Sequence, residues 1–259
     1  MIRPSPAATG PRGDTVRLLV QGASGRLGKV IIEIARTQTD LTVTCANREH
    51  PAEKSIGATD VVLDVSTPTA TVSVAQLCAK NKTPLVVGTT GHNQEQLETL
   101  YSISNQCAVL LAPNFSIGVN LLFWLAETAA ATLGNDFDME IVELHHRLKK
   151  DAPSGTAKKL AELVAAARQL NYEKDARHGR KGLVGERSPD EIGIHAVRGG
   201  DIVGEHTVFF AGLGERLELT HQASSRETFA RGAIQAARWM IGRDPGMYEM
   251  RDVLGLPRG

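Results

Sequence analysis

The stretch Val16-Arg17-Leu18-Leu19-Val20-Gln21-Gly22-Ala23-Ser24-Gly25-Arg26-Leu27-Gly28 decides the fold. Val16 to Val20 reads as a buried strand that runs into a glycine loop. Lys29 to Arg36 then has a helical pattern, and Leu41 to Ala46 reads as the next strand, which together make a βαβ unit. The glycines of Gly22 to Gly28 let the backbone turn tightly out of the strand and approach a pyrophosphate, whose charge would be met by free N–H groups at the helix start. The spacing is G-x-x-G-x-x-G rather than the usual G-x-G-x-x-G, and glycine-rich turns after strands are also common without any cofactor.

Working outward, Val61 to Val65 is an apolar run that ends at Pro68, a helical stretch follows to Ala79, and Leu85 to Val87 runs into Gly88. Gln94 to Ser104 reads as a helix and Ala108 to Leu111 as another buried strand. The alternation predicts an α/β fold whose first part is an open, mostly parallel sheet, with ligands at the carboxyl ends of its strands. After Asn114 the rhythm changes. Gly118 to Leu133 is a long apolar helix stopped by Gly134, Asp138 to His145 alternates as a strand, and Thr156 to Leu170 is helical. Ile192 to Arg198, Ile202 to Ala211 and Glu215 to Ala223 follow as strands separated by glycine turns, a pattern that favours antiparallel neighbours. Residues 171–191 read as an exposed loop. Ser224 with Glu227 three residues on reads as a capping box for a last helix, Glu227 to Ile241.

Lys plus Arg and Asp plus Glu both number 29, so no global field argues for nucleic acid or a charged membrane surface. Cys45, Cys78 and Cys107 are odd in number, widely spaced and without a metal-ligand pattern, as expected of reduced thiols in a cytoplasmic protein that act as packing residues. Residues 1–14 carry three prolines, two glycines and no apolar run, which predicts a flexible tail rather than a secretory signal or membrane anchor. Their two arginines and scarcity of acid leave an organellar transit segment open. No metal site is expected: His145 and His146 diverge on a strand, and His195, His206 and His221 lie in strand-like runs where a structural histidine is commoner.

The chemistry concentrates in Glu140-Ile141-Val142-Glu143-Leu144-His145-His146-Arg147-Leu148-Lys149-Lys150-Asp151-Ala152-Pro153-Ser154-Gly155-Thr156-Ala157. Successive strand side chains point to opposite faces, so His145 and His146 can serve different purposes. Histidine titrates near neutral pH, and Lys149 keeps its charge unless desolvated. Ser154, Gly155 and Thr156 open a helix whose N–H groups and hydroxyls can hold a carboxylate. A proton donor, a cation near developing charge and an anchor for an acid group are what the reduction of an imine needs. The plain alternative is a polar loop with solvated lysines and an N-cap serine.

This run resembles, position for position, the signature of 4-hydroxy-tetrahydrodipicolinate reductases: Glu, Ile or Val, any, Glu, any, His, three variable, Lys, any, Asp, any, Pro, Ser, Gly, Thr, Ala. Gly22 to Gly28, Asp64 to Pro68, Val87 to Gly91, Pro113 to Asn120, Gly200 to His206 and Ala223 to Arg226 fall in the family's order, so the resemblance runs from Val16 nearly to the end. It implies reduction of a cyclic imine dicarboxylate by NADPH or NADH in lysine (diaminopimelate) biosynthesis. It also implies a cytoplasmic homotetramer. By resemblance His145 would be the catalytic acid/base and Lys149 a second proton donor, with His146, Gly155 and Thr156 binding the carboxylates of a small dicarboxylate substrate. Gly22, Ala23, Ser24, Gly25, Arg26, Leu27, Gly88, Thr89, Thr90, Ala112, Pro113, Asn114 and Phe115 would line the dinucleotide, and Arg48 would meet its adenosine ribose. The implied fold is a Rossmann dinucleotide-binding domain, residues 15–116 with 227–259, plus an α+β substrate and tetramerisation domain with an open mixed sheet, residues 117–226.

The chain departs from the family between Arg48 and Asp60, where only eleven residues stand in place of a longer excursion with another helix. The adenine-side wall must be abbreviated. Asn47 occupies the position where many relatives carry an acidic ribose-binding residue, and with Arg48 beside it NADPH is favoured. Glu49 follows at once, however, and an exposed arginine is most often only solvated. Two competing readings are a different imine or amino-acid dehydrogenase on the same scaffold and a non-catalytic dinucleotide sensor. The Lys149 to Thr156 segment argues against the first, and the paired histidines against the second.

Overall fold

Runs of uninterrupted buried Val and Leu suit only strands covered on both faces, whereas alternating runs suit a sheet with one wet face. The chain contains one region of each kind. The computed structural model describes residues 15–257, so the tail expected over residues 1–14 lies outside the described residues.

In chain order the elements are β1 (Val16–Gln21), α1 (Arg26–Arg36), β2 (Leu41–Ala46), β3 (Val61–Asp64), α2 (Pro68–Asn81), β4 (Leu85–Val87), α3 (Gln94–Ile103), β5 (Ala108–Leu111) and α4 (Ile117–Leu133). They continue with β6 (Asp138–His145), α5 (Gly155–Ala167), α6 (Tyr172–Asp175), β7 (Ala176–His178), β8 (Ile192–Arg198), β9 (Gly204–Ala211), β10 (Arg216–Ala223), α7 (Glu227–Met240), β11 (Gly246–Tyr248) and α8 (Met250–Val253). Two compact units result. Among the described residues unit 1 holds 15–117 and 226–257, and unit 2 is Gly118–Ser225.

Unit 1 is a six-stranded sheet in the order β11-β5-β4-β3-β1-β2, parallel throughout. Leu18 and Val20 point to the side packed by Ile31, Ala35, Ala233 and Ala237 of α1 and α7, while Leu19 points to the opposite core with Val74, Cys78 and Leu100. The order reverses between β1 and β3, and this switch point is where loops diverge and leave a crevice at the strand ends. α1 begins at Arg26, three residues earlier than the sequence pattern predicts. Gly28 therefore sits inside its first turn, where a side chain would run into the Gly22 carbonyl. β11 and α8 are additions the sequence did not signal, and β11 extends the sheet beside β5.

Unit 2 is a five-stranded mixed sheet in the order β10-β9-β6-β8-β7. Met139, Ile141, Ile192, Ile194, Val208 and Phe210 pack on Leu122 and Ala126 of α4 and on Leu160, Ala161 and Val164 of α5. α4 with the turn after it is long and apolar enough to cross a membrane by length and composition alone; here its inner face belongs to this core. Gly134 takes the left-handed conformation (φ 63°) that ends the helix.

Several expectations are corrected. β9 and β10 pair antiparallel as the turn between them predicts, but β8 and β9 are not neighbours, because β6 lies between them and pairs parallel with β8. The Gly199-Gly200-Asp201 connection therefore crosses the end of β6, where Gly199 N–H donates to the His145 carbonyl at 2.9 Å. Residues 171–191 contain α6 and β7 as well as loop. The Ser224–Glu227 capping box is not formed; Arg226 is the N-cap of α7 and no side chain caps it.

Candidate active site

In unit 1 the loop after β1 is built on close approaches. Gly22 has φ 87°, and a Cβ there would lie 2.5 Å from the Val65 carbonyl oxygen, so only glycine serves. Gly22 N–H and Ala23 N–H donate to the Ala46 carbonyl, and Gly25 N–H donates to that of Gly22. Gly25 is the N-cap of α1 and carries no side-chain cap, and the first turn holds no acidic residue. Among the described residues the helix thus presents N–H groups and its positive end with no side-chain cap and no acid in its own first turn. A cleft of about 550 Å³ opens there, lined by Gly22, Ser24, Gly25, Asn47, Arg48, Val65, Ser66 and Thr67, among others. Arg26 and Leu27 form the first turn of α1, and Ala23 lines an adjoining hollow with Ser24 and Asn47.

Asn47 is occupied by its own loop. Its Oδ1 accepts from Glu49 N–H and His50 N–H, each at 2.9 Å, and its N–H donates to the His50 carbonyl. Two short 3-10 turns, Ala52–Lys54 and Ile56–Ala58, carry the chain from there to β3.

The loops after β3, β4 and β5 leave the same edge of the sheet. Asp64, wholly buried, accepts from the hydroxyls of Ser66, of Thr71 at 2.5 Å and of Thr89 at 2.7 Å. Burial among neutral groups raises its pKa, only partly countered by these hydrogen bonds. Thr89 in turn accepts Ser66 N–H at 2.9 Å, so one carboxyl ties the Val65–Thr67 and Gly88–Thr90 loops together. Gly88 lies against the ring of Phe115, and a side chain there would overlap it. Ala112 is bonded to the Val87 carbonyl, Asn114 Oδ1 accepts Ser116 N–H, and Pro113 and Thr90 are exposed. The Val65–Thr67 wall and the Asp64 hub are site features that the sequence reading missed; the signal was a strand ending in Asp-Val-Ser-Thr-Pro.

In unit 2 alternate residues of β6 face opposite sides. Glu143 and His145 turn inward with the core, and Glu140 turns outward. His145 Nδ1 lies 2.6 Å from Glu143 Oε2. Glu143 has no exposed surface, and it also accepts two hydrogen bonds from Arg198, each at 2.7 Å, and Ser154 N–H at 3.0 Å. Burial opposes its charge, but the hydrogen bonds from His145, Arg198 and Ser154 prevail and hold the carboxyl at about 2. Ser154 caps α5 through Ala157 N–H and its hydroxyl meets Nε2 of His206 at 3.1 Å. The His206 ring stands edge-on to His145, centroids 5.2 Å apart. Burial lowers its pKa to about 3, aided by neighbouring His145, and its Nδ1 has no partner.

Lys149 Nζ pairs with Asp151 at 2.9 Å. His146 is half-buried just past the strand, with its Nδ1 unpartnered. Gly155 has open space where a Cβ would be, and it begins α5 with Thr156 beside it. The structure thus links His145 to Ser154 through Glu143 and His206 and puts Lys149 and His146 on the same short loop. Glu143, Arg198 and His206 are the residues that the sequence reading did not assign.

The outward face carries a separate network. Glu140 receives Arg180, Arg187 and His195, the last at 2.8 Å. Burial of Glu140 is overcome by these partners, leaving its carboxyl at about 2. His195 is thereby a satisfied structural histidine, and Arg187 fastens the 179–191 loop to Asp138 and to the Met139 carbonyl.

Comparison with known proteins agrees across the chain. The family model described as dihydrodipicolinate reductase, N-terminus, matches residues 16–115, and that for the C-terminus matches residues 118–254. The second match runs on through α7, which packs in unit 1. A 4-hydroxy-tetrahydrodipicolinate reductase from Akkermansia muciniphila is 47% identical over 245 residues, covering 93% of this chain and 98% of its own. One from Aquifex aeolicus is 47% identical over 269 residues, covering 93% and 100%. Among solved structures, dipicolinate-bound dihydrodipicolinate reductase from Paenisporosarcina sp. TG-14 is similar at a TM-score of 0.74 and 27% identity, covering 91% of this chain and 97% of that one. With both halves matched and such relatives along its length, the chain belongs to the dihydrodipicolinate reductase family of oxidoreductases.

Proposed function

We propose that the chain reduces 4-hydroxy-tetrahydrodipicolinate to tetrahydrodipicolinate in lysine (diaminopimelate) biosynthesis, the reaction for which its relatives are named. Exchanging the ring hydroxyl for hydrogen takes one hydride and one proton, and the hydroxyl leaves as water. The single observation that carries the reading is the His145 cluster: an imidazole on a buried, hydrogen-bonded carboxylate, beside a lysine and a helix start.

Unit 1 takes a pyridine nucleotide, which when bound supplies the hydride. The uncapped start of α1 and the glycine cradle suit its pyrophosphate, with Gly22, Ala23, Ser24, Gly25, Arg26 and Leu27 holding that part. Gly88, Thr89, Thr90, Ala112, Pro113, Asn114 and Phe115 hold the nicotinamide end. NADPH is the preferred form. Asn47 has spent its acceptor oxygen on its own turn, so it offers a ribose diol no acceptor, while exposed Arg48, which lines the same cleft with Glu49, suits a 2′-phosphate.

Unit 2 takes the substrate. His145 acts as acid/base and Lys149 as the second proton donor, and His146, Gly155 and Thr156 bind the two carboxylates at the start of α5. The protein works in the cytoplasm as a homotetramer. The face of the unit 2 sheet carrying Val142, Leu144, Val197 and Phe209 is partly exposed, Val197 by 43%, and suits packing between copies.

The test is turnover followed by nicotinamide absorbance. His145→Ala should lose about a hundred- to ten-thousand-fold in kcat while its Kd for NADPH stays that of the wild type. Equal turnover in the variant would remove His145 from the mechanism, and a tighter Kd for NADH than for NADPH would reverse the cofactor preference.

A further inference from the structure

We propose that Glu143 is a positioning residue for this reduction: clamped by Arg198, it keeps a proton on Nδ1 of His145 and so leaves Nε2 as the nitrogen that exchanges a proton with the substrate. The inference rests on the acid/base role of His145 and gives it an atom.

Every hydrogen bond around Glu143 points one way. An ionised carboxylate only accepts, and both its oxygens are engaged: Oε1 by Ser154 N–H and Arg198 Nη2, and Oε2 by Arg198 Nη1 and His145 Nδ1. At 2.6 Å a bare Nδ1 would set two lone pairs against each other, so Nδ1 carries the proton. Arg198 is itself fixed, donating to the Asp151 and Val197 carbonyls at 2.7 Å each. A buried carboxylate held by this fork stays charged and does not take the imidazole's proton. His206 on β9 stands beside both groups, with His221 on β10 and Lys149 on the loop acting on it in turn. His206 stays neutral, so it adds no second charge beside the working ring.

Nε2 is left open by a missing side chain. A Cβ on Gly204 would lie 3.0 Å from Nε2 and 3.4 Å from Cδ2 of His145, closer than side chains normally approach. The backbone of His145 is meanwhile pinned by Gly199 N–H on its carbonyl. Ring, tautomer and access are thus set by three strands.

The experiment reads the tautomer directly by two-bond proton–nitrogen spectra of the ¹⁵N-labelled full chain, at about pH 9 where imidazoles are neutral. The His145 signal is identified by its loss in His145→Asn. The wild type should show the Nδ1–H form. In Glu143→Gln the amide oxygen goes to the side with the fixed Ser154 N–H, which turns NH₂ toward His145 and forces the Nε2–H form, as a wrong tautomer arises in hydrolytic triads. kcat should fall about a hundred- to ten-thousand-fold, with KM for the nicotinamide cofactor unchanged. If Glu143→Gln fails to fold, Gly204→Ala decides with the wild-type spectrum: the Nδ1–H form should persist while kcat falls. An active wild type with the Nε2–H form, or a Gly204→Ala chain of undiminished kcat, overturns the role of Glu143 and Nε2 alone. An inactive wild type overturns the proposed reaction along with it.

Discussion

Asp64 in unit 1 and Glu143 in unit 2 are both wholly buried carboxyls near the carboxyl end of an interior strand, yet their environments drive them apart. The side-chain hydrogen bonds to Asp64 come from hydroxyls, and burial raises its pKa against them and nearby His92; Glu143 meets a guanidinium and an imidazole, which hold its pKa at about 2 despite burial. Desolvation acts on both, so the partners decide the charge. The first carboxyl behaves as a polar knot between two loops, and the second as a fixed negative charge behind a working histidine. A buried acid by itself therefore says little about function until its donors are named.

The contrast breaks most directly at Arg198. Arg198→Met leaves the Glu143 charge buried with its counter-ion gone, and should cost about 3–5 kcal/mol in chemical denaturation. A loss below about 1 kcal/mol would mean that the pair contributes no more than an exposed one. Asp64→Asn is the matched test in unit 1. Hydroxyls can reverse to accept from an amide, so the expected cost is only about 1 kcal/mol; a loss as large as that of Arg198→Met would show that Asp64 too depends on its charge.

The smallest effect is on pH dependence. His206 titrates at about 3 in the folded chain against 6.5 unfolded, so between those values the unfolded state binds the extra proton. Its stabilising contribution is complete above 6.5 and declines as pH falls toward 3. Glu143, at about 2 against 4.5, contributes fully above 4.5 and loses its share only below that. From pH 6.5 to 5.5 the His206 share amounts to about 1 kcal/mol, and denaturation curves of His206→Gln should be flatter over that interval. An unchanged slope would place the acid sensitivity in other groups.

Much of unit 1 was legible because its strands are short apolar runs bounded by glycine or proline. Val61–Asp64, Leu85–Val87 and Ala108–Leu111 need no partner to be recognised as buried strands. β11 was not legible, since Gly246-Met247-Tyr248 has no strand pattern of its own and forms as an edge along β5. In unit 2 every strand but β7 was legible and their order was not, because a turn reports direction but not which strand lies between. The site divides the same way. His145, Lys149, Ser154, Gly155 and Thr156 lie in one continuous stretch whose residue types state a chemistry. Arg198 is 55 residues from Glu143, and nothing local marks it as the partner.

Sequence alone thus determined most of the elements, the glycine loop and the inventory of acids, bases and anchors, because backbone period, turn chemistry and functional groups are local properties. Tertiary structure decided which strand lies beside which, why residue 204 has no side chain, and whether Asp64, Glu143 and His206 favour their charged forms. Those outcomes depend on water excluded and donors delivered by distant segments, and neither exists until the chain has packed.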